Sequence, residues 1–234
     1  MSDTLSPTVR DCIDAVSATF DGLFATIEGW RQAVESLAGP VGSARIDELV
    51  ERLVLPSLSA DDALTIGAGF VATPGFLADV EWHLAWWLGH ANTFGVGSAD
   101  PAVRRLEAEE DPASENFRDY TTLEWWRVPA ATGARHITGP YVDYLCTDDY
   151  TLTLTMPAFV DGRMIGLVGA DLYVNDIERR LLPRVRAVGG PATIINASGR
   201  VVVSTDPHRA TGTILRSDAP AISCGDSSLR LVLG

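Results

Sequence analysis

The chain has 234 residues, enough for one large domain, or one domain with an appendage, around a sizeable core. It is 46% apolar and 21% charged, its net charge is −13, and all 18 of its basic residues are arginine. An acid excess of that size, with no basic cluster to offset it, repels phosphate backbones and anionic lipid, so neither nucleic acid nor a membrane surface is an expected partner.

Cys12, Cys146 and Cys224 are odd in number, far apart and without C-x-x-C spacing. That pattern suggests neither a disulfide framework nor a zinc site, and the reading expects no metal and no cofactor. The first six residues carry no basic segment or apolar core of a signal peptide, and no window is apolar enough to span a membrane. The expectation is a cytoplasmic location.

Ser6-Pro7-Thr8 opens a helix, with the serine oxygen placed to cap free amides and proline at the first helical position. From there Val9, Ile13, Val16, Phe20, Leu23, Ile27, Trp30, Val34 and Leu37 follow steps of four and three up to Gly39-Pro40. This predicts a long helix over 7–38. Its seam either packs on the chain's own sheet or pairs with a second subunit; the reading expects a homodimer through this helix. A shorter helix is predicted over 43–55, with Asp47 and Glu48 in its first turn and Pro56 beyond its end.

Residues 63–73 read as a strand whose Gly67 and Gly69 permit close packing or a bulge, and Pro74-Gly75 as a turn. Residues 81–89 read as a second strand carrying Trp82, Trp86 and Trp87, taken as core or sheet cover, with a pocket wall as the other reading. His83 and His90 are expected on polar faces. A helix is predicted over 100–110. The stretch 111–147 lacks periodicity and is rich in aromatics, proline and glycine, the composition of a functional loop.

Thr151–Met156 alternates threonine with Leu152, Leu154 and Met156, as a half-buried strand does. Asp161-Gly162 is a hairpin turn into a strand over 163–172, and residues 175–186 form a helix interrupted at Pro183. Beyond Gly189-Gly190-Pro191, strands are expected at 192–196, 200–204 and 229–233. The expected division is a helical region over 1–60, a ligand-binding domain over 61–188 and a small, truncated β lobe over 189–234.

The order of these motifs carries a resemblance. Tyr120, the pair Trp125-Trp126, Pro140-Tyr141-Val142-Asp143, the alternating strand and Gly166-Leu167-Val168-Gly169-Ala170-Asp171-Leu172 follow one another after a long helix and a hairpin. The chain resembles the Cache family of sensor domains. The implied fold is α+β: a long N-terminal helix, a PAS-like antiparallel sheet and a small C-terminal β lobe. The resemblance implies a small-molecule-binding sensor, not an enzyme, with a ligand ammonium held by Asp171 and assisted by Tyr120, Trp125, Trp126, Tyr141 and Asp143. In amino-acid binders an arginine two residues before the aromatic pair grips the ligand carboxylate. Leu123 stands there, followed by Glu124, and neither Arg118 nor Arg127 occupies the matching position. The expected ligand is therefore a small cationic amine before an amino acid.

Read by themselves, the residues leave alternatives open. Asp171 shares strand parity with Ile165, Leu167 and Gly169, so it either binds a cation at the edge of an apolar interior, caps the next helix or pairs with an arginine. Tyr141 and Asp143 are equally readable as turn residues. A ligand-free dimerisation or scaffold domain is the second reading. An enzyme acting on a small amine through Asp148, Asp149, Glu124 or His136 is the third, although no nucleophile motif, metal spacing or phosphate loop supports it.

Overall fold

The computed structural model describes residues 5–94, 103–142, 147, 149–216 and 219–234. Helix α1 (Pro7–Glu35) starts as predicted: the Ser6 Oγ accepts from the Val9 amide at 3.3 Å, and Pro7 fills the first helical position. Its buried stripe is Val9, Cys12, Val16, Phe20, Phe24, Ile27, Trp30 and Val34. Gly22 and Gly29 face open space on the opposite side, where each costs under about 1 kcal/mol relative to alanine.

Helix α2 (Ser43–Leu58) runs one turn further than predicted, through Pro56. The proline forfeits the bond to the Arg52 carbonyl, but the last turn holds because Leu58 is fully buried. The cap of α2 comes from far along the chain. The Asp79 carboxylate accepts from the Ser43 amide and hydroxyl at 2.7–3.1 Å, the charge favoured at a helix N-terminus. Asp47 and Glu48 lie beyond the first turn, not in it.

The strands are β1 (Thr65–Ala72), β2 (Leu84–Leu88), β3 (Arg104–Arg105), β4 (His136–Val142), β5 (Tyr150–Val160) and β6 (Arg163–Tyr173). They form one antiparallel sheet in the order β3-β2-β1-β6-β5-β4. Asp161 and Gly162 take φ of 51° and 75°, the left-handed pair that a two-residue hairpin between β5 and β6 requires. The helix predicted over 100–110 does not form in its described part. Arg104 and Arg105 pair with Leu88 and Trp87 instead, and the Leu106 amide donates to the Trp86 carbonyl at 2.8 Å. The open edge of β2 supplies backbone partners that local helical preference does not outweigh.

Within the stretch taken as a loop, a single 3-10 turn (Tyr120–Thr122) leads into helix α3 (Glu124–Thr132), closed by Gly133 at φ 66°. Helix α4 (Val174–Ala187) is continuous through Pro183. The C-terminal strands β7 (Ala192–Ile195), β8 (Val201–Ser204), β9 (Ala221–Ser223) and β10 (Arg230–Leu233) make a second antiparallel sheet in the order β8-β7-β10-β9. Ile194, Val203 and Leu231 of this sheet, with Leu229 just before β10, join the main core with α1 and α4. The Asn196 side-chain amide donates to the Gly139 carbonyl of β4 at 2.6 Å.

Both faces of the large sheet are covered. Ala68, Phe70, Trp87, Leu152, Leu154 and Leu172 meet α1, α2 and α4. Val71, Leu84, Trp86 and Leu167 meet Tyr120, Trp125 and Trp126 from the turn and α3. The buried stripe of α1 packs on its own sheet, while Ile13, Leu23 and Leu37 of the seam are only partly buried. No helix among the described residues is long and apolar enough to cross a membrane.

His83, expected on a polar face, is only 4% exposed and locks α2 to the sheet. Its Nε2 lies 2.8 Å from Asp47 Oδ1 and its Nδ1 3.0 Å from Glu110 Oε1, while Arg105 reaches the other Asp47 oxygen at 3.0 Å. Burial alone would lower its pKa, but the two carboxylate partners win and raise it to about 9. A folded value above the unfolded one, near 6.5, means this contribution is complete below about pH 6.5 and is lost as pH rises through about 9. Urea unfolding is expected to show the midpoint falling across that window, and the fall to flatten in His83→Gln.

Candidate functional site

The site lies on the sheet face covered by α3. Two rows of residues cross the central strands there. One runs Leu88, Gly67, Asp171, Thr153; the other runs Trp86, Gly69, Gly169, Thr155. Glycines in the middle of both rows leave the sheet bare, and the Trp86 indole lies across them. A Cβ on Gly67 would stand 2.9 Å from Trp86 Nε1 and 3.3 Å from Asp171 Oδ2, and one on Gly69 would strike the Ala85 carbonyl at 2.1 Å. A register shift between Thr65 and Gly67 realises the expected bulge.

Asp171 is 2% exposed. The Thr153 hydroxyl donates to its Oδ1 at 2.7 Å, and the Tyr141 hydroxyl lies 2.8 Å from Thr153 Oγ1. Thr153 has one proton and gives it to the carboxylate, so Tyr141 donates to Thr153. The hydroxyl hydrogens of Tyr141 and Thr153 therefore both point toward Asp171. Asp171 does not cap α4, whose N-cap is Tyr173 with no side-chain hydrogen bond. Its partner in strand parity is also shorter by one: Ile165 falls opposite the irregularity between Ala158 and Phe159 and turns to the helix side.

Trp125 is held over this floor by an exchange of hydrogen bonds. Pro129 lacks the amide that would bond the Trp125 carbonyl within α3. Thr155 of β5 takes the carbonyl instead, donating at 3.1 Å. The proline that made this segment look irregular thereby docks the helix on the sheet.

Between Trp86, Trp125 and the sheet is a cavity of about 30 Å³, walled by Val71, Leu84, Leu106 and Leu167, with Thr153, Thr155 and Asp171 as its polar floor. That is room for an ammonium head or a water, and less than a carbon skeleton needs. Asp171 is the ionisable group among the described residues lining it. The indole nitrogens of Trp86 and Trp125 are both buried without a hydrogen-bond partner. Leu84 also borders a larger cleft of about 440 Å³ whose rim includes Glu107, Glu109 and Arg118.

The residues expected at the site divide. Asp171 and Trp125 line the cavity, and Tyr141 reaches it through Thr153. Tyr120 and Trp126 pack beside Trp125 and do not line this cavity, and Tyr120 borders the larger cleft. Their rings lie 6.2 and 6.5 Å from that of Trp125, and the Tyr120 hydroxyl is committed to the Ala72 carbonyl at 2.7 Å. Burial pushes that phenol well above its ordinary pKa, so it stays a neutral donor. Asp143 lies outside the described residues.

Trp86 was legible only as one of three tryptophans, and Thr153 and Thr155 only as the outward half of an alternating strand. Of the acid–base candidates, Glu124 and His136 hold each other at 3.1 Å, a hydrogen bond that lowers the Glu124 pKa, and neither lines the cavity. Asp149 is exposed, and Asp148 lies outside the described residues.

Residues 97–179 match the family described as methyl-accepting chemotaxis protein-like, first PDC sensor domain. Among solved structures, the chain is similar to the ligand-binding domain of the Pseudomonas fluorescens chemoreceptor CtaA in complex with L-valine. The TM-score is 0.61 at 17% identity, over 96% of this chain and 91% of that one. It is also similar to the ligand-binding domain of a Pseudomonas aeruginosa amino acid chemoreceptor, PctC, in complex with GABA, with a TM-score of 0.56 at 13% identity over 95% and 94% of the two chains. The sensory domain of a Campylobacter jejuni chemoreceptor with isoleucine bound gives 0.56 at 13% identity, over 90% and 73%. No curated protein matches the chain. The fold is that of the PDC, or Cache, sensor domains, PAS-like with a long N-terminal helix.

The hydroxyl chain on Asp171 yields a stability prediction. Thr153→Val removes the donor to the buried Asp171 carboxylate and the acceptor for the half-buried Tyr141 hydroxyl, and is expected to lower unfolding free energy by about 1–3 kcal/mol, with Thr153→Ser close to the parent. Urea titration of the three proteins reads the difference.

Proposed function

We propose that this chain is a sensor unit that binds a small ammonium compound, with the cationic head at Asp171 beneath Trp86 and Trp125. The observation that carries the reading is a buried carboxylate, fed by an ordered hydroxyl chain, at the floor of an aromatic cavity with no basic residue among its described lining. A monocation there makes the site neutral and restores the interactions lost on burying the charge. The oxygens of Thr153 and Thr155 keep lone pairs for further N–H donors. Each ring face over the cation adds about 0.5–2 kcal/mol.

The structural relatives support the reading in one respect. Valine, isoleucine and GABA, the compounds seen in them, all carry an ammonium group at neutral pH. The place two residues before Trp125 holds Leu123, partly buried against the aromatic cluster, so it offers nothing to a carboxylate. A simple amine is favoured for that reason. Its carbon skeleton has to widen the cavity, so binding is coupled to movement of the walls, α3 among them.

The test is thermal unfolding of the full chain against a panel of small amines and amino acids. At least one compound at about a hundred times its Kd is expected to raise Tm by about 5 °C or more. Asp171→Ala abolishes the shift, and the near-isosteric Asp171→Asn does so with less disturbance of packing. A panel without hits, or hits indifferent to both substitutions, overturns the reading.

A further inference from the structure

Two polar groups at the cavity remain unexplained by an ammonium head. The indole N–H groups of Trp86 and Trp125 are donors only, and an ammonium offers them nothing to accept. Trp86 is 6% exposed and Trp125 5%, and the nitrogen of each is buried without a partner. Burying a donor unpaired costs stability, and that cost is taken twice at one small cavity. Elsewhere in the same cluster the polar handle of an aromatic is satisfied: Tyr120 donates to Ala72.

The positions matter as much as the burial. Trp86 Nε1 and Asp171 Oδ2 both border the space above Gly67, within 2.9 and 3.3 Å of where a Cβ would stand. Trp125 lines the same cavity from α3. A carboxylate for the cation and the Trp86 donor thus sit within the span of one small molecule, in a cavity that Trp125, with its own unpartnered donor, also lines. Gly67 keeps that span open, since any side chain there would press on the indole and the carboxylate together.

Charge selects the kind of acceptor. With Asp171 ionised, a monocation balances the cavity, whereas a zwitterion brings a second negative charge. The described lining offers no cation to meet it. Neutral donors suit a neutral oxygen in a low-dielectric site better than they suit an uncompensated carboxylate.

We propose that the ligand of this site is an ammonium compound that also carries a neutral oxygen acceptor, a hydroxyl or an amide carbonyl, and that the indole N–H groups of Trp86 and Trp125 hold that oxygen. The ligand class is then amino alcohols and α-amino amides. This rests on the ammonium reading of Asp171 and adds the second half of the recognition.

The experiment is titration calorimetry of the full chain with four compounds on each of the glycine, alanine and valine skeletons: the amine, the amino alcohol, the amino amide and the amino acid. The alcohol or amide is expected to bind about tenfold more tightly than the matching amine and amino acid. Trp86→Phe and Trp125→Phe keep the ring and remove the donor. Each is expected to erase that tenfold difference between amide and amine, measured as the ratio of the two affinities in the same variant so that any change in the ring's hold on the ammonium cancels.

In the parent protein, the indole N–H resonances of both residues move downfield with amide and stay in place with amine, a readout that needs no variant to fold. Phenylalanine variants that bind amide as the parent does overturn the proposal, as does a tighter amino acid or an unmoved pair of resonances. In those cases Asp171-dependent amine binding still upholds the ammonium site. Failure of every compound on all three skeletons overturns the ammonium reading, and this proposal with it.

Discussion

The structure depends on a carboxylate placed inside a sheet. A buried charge left unsolvated costs several kcal/mol, so everything around Asp171 has to answer for it. Thr153 and Tyr141 line up their hydroxyls toward it, Gly67 opposite it leaves room, and Trp86 and Trp125 close the space above. A chain that needed only a stable sheet would place leucine or valine there. The carboxylate costs stability, and that cost is the ground for proposing its surroundings as a binding site.

That arrangement is possible because the sheet is covered on both faces by different means. On one face α1, α2 and α4 press apolar side chains against Phe70, Trp87, Leu152 and Leu154, and no polar group is needed. On the other, a short helix and a turn supply tryptophan and tyrosine, whose rings span distance without filling it evenly. The first face carries the burial that stabilises the fold, at about 1.5–3 kcal/mol per large side chain. The second retains a cavity because the glycines at 67, 69 and 169 add nothing to it. Thr155 ties the two systems together, since its bond to the Trp125 carbonyl fixes the roof to the floor.

Much of the fold was legible in the sequence because its signals are local. The period of α1, its serine cap and the Asp161-Gly162 turn each follow from backbone requirements that a few neighbouring residues meet. The misreadings share a cause. Arg104 and Arg105 form a strand because β2 offers an edge, α3 and α4 continue through prolines because packing or a distant hydroxyl compensates, and His83 is buried because Asp47 and Glu110 arrive from elsewhere. The alternation at Thr151–Met156 was read with one wet face, whereas α3 covers the threonine side as well.

For the site, the sequence by itself determined the chemistry: one carboxylate on a glycine-rich strand, aromatics ahead of it, and leucine where an arginine would grip an acid. It also determined the long helix and the order of motifs, since these depend on spacing along the chain. Only the tertiary structure decided which aromatics form the walls. Trp86, from a strand far away in sequence, lies beside Asp171 because β1 and β2 pair in a register that sets it over two glycines, and Trp126 is turned away by the pitch of α3. Strand register and helix pitch convert sequence distance into spatial contact, and no local pattern encodes which pairing the whole chain will choose.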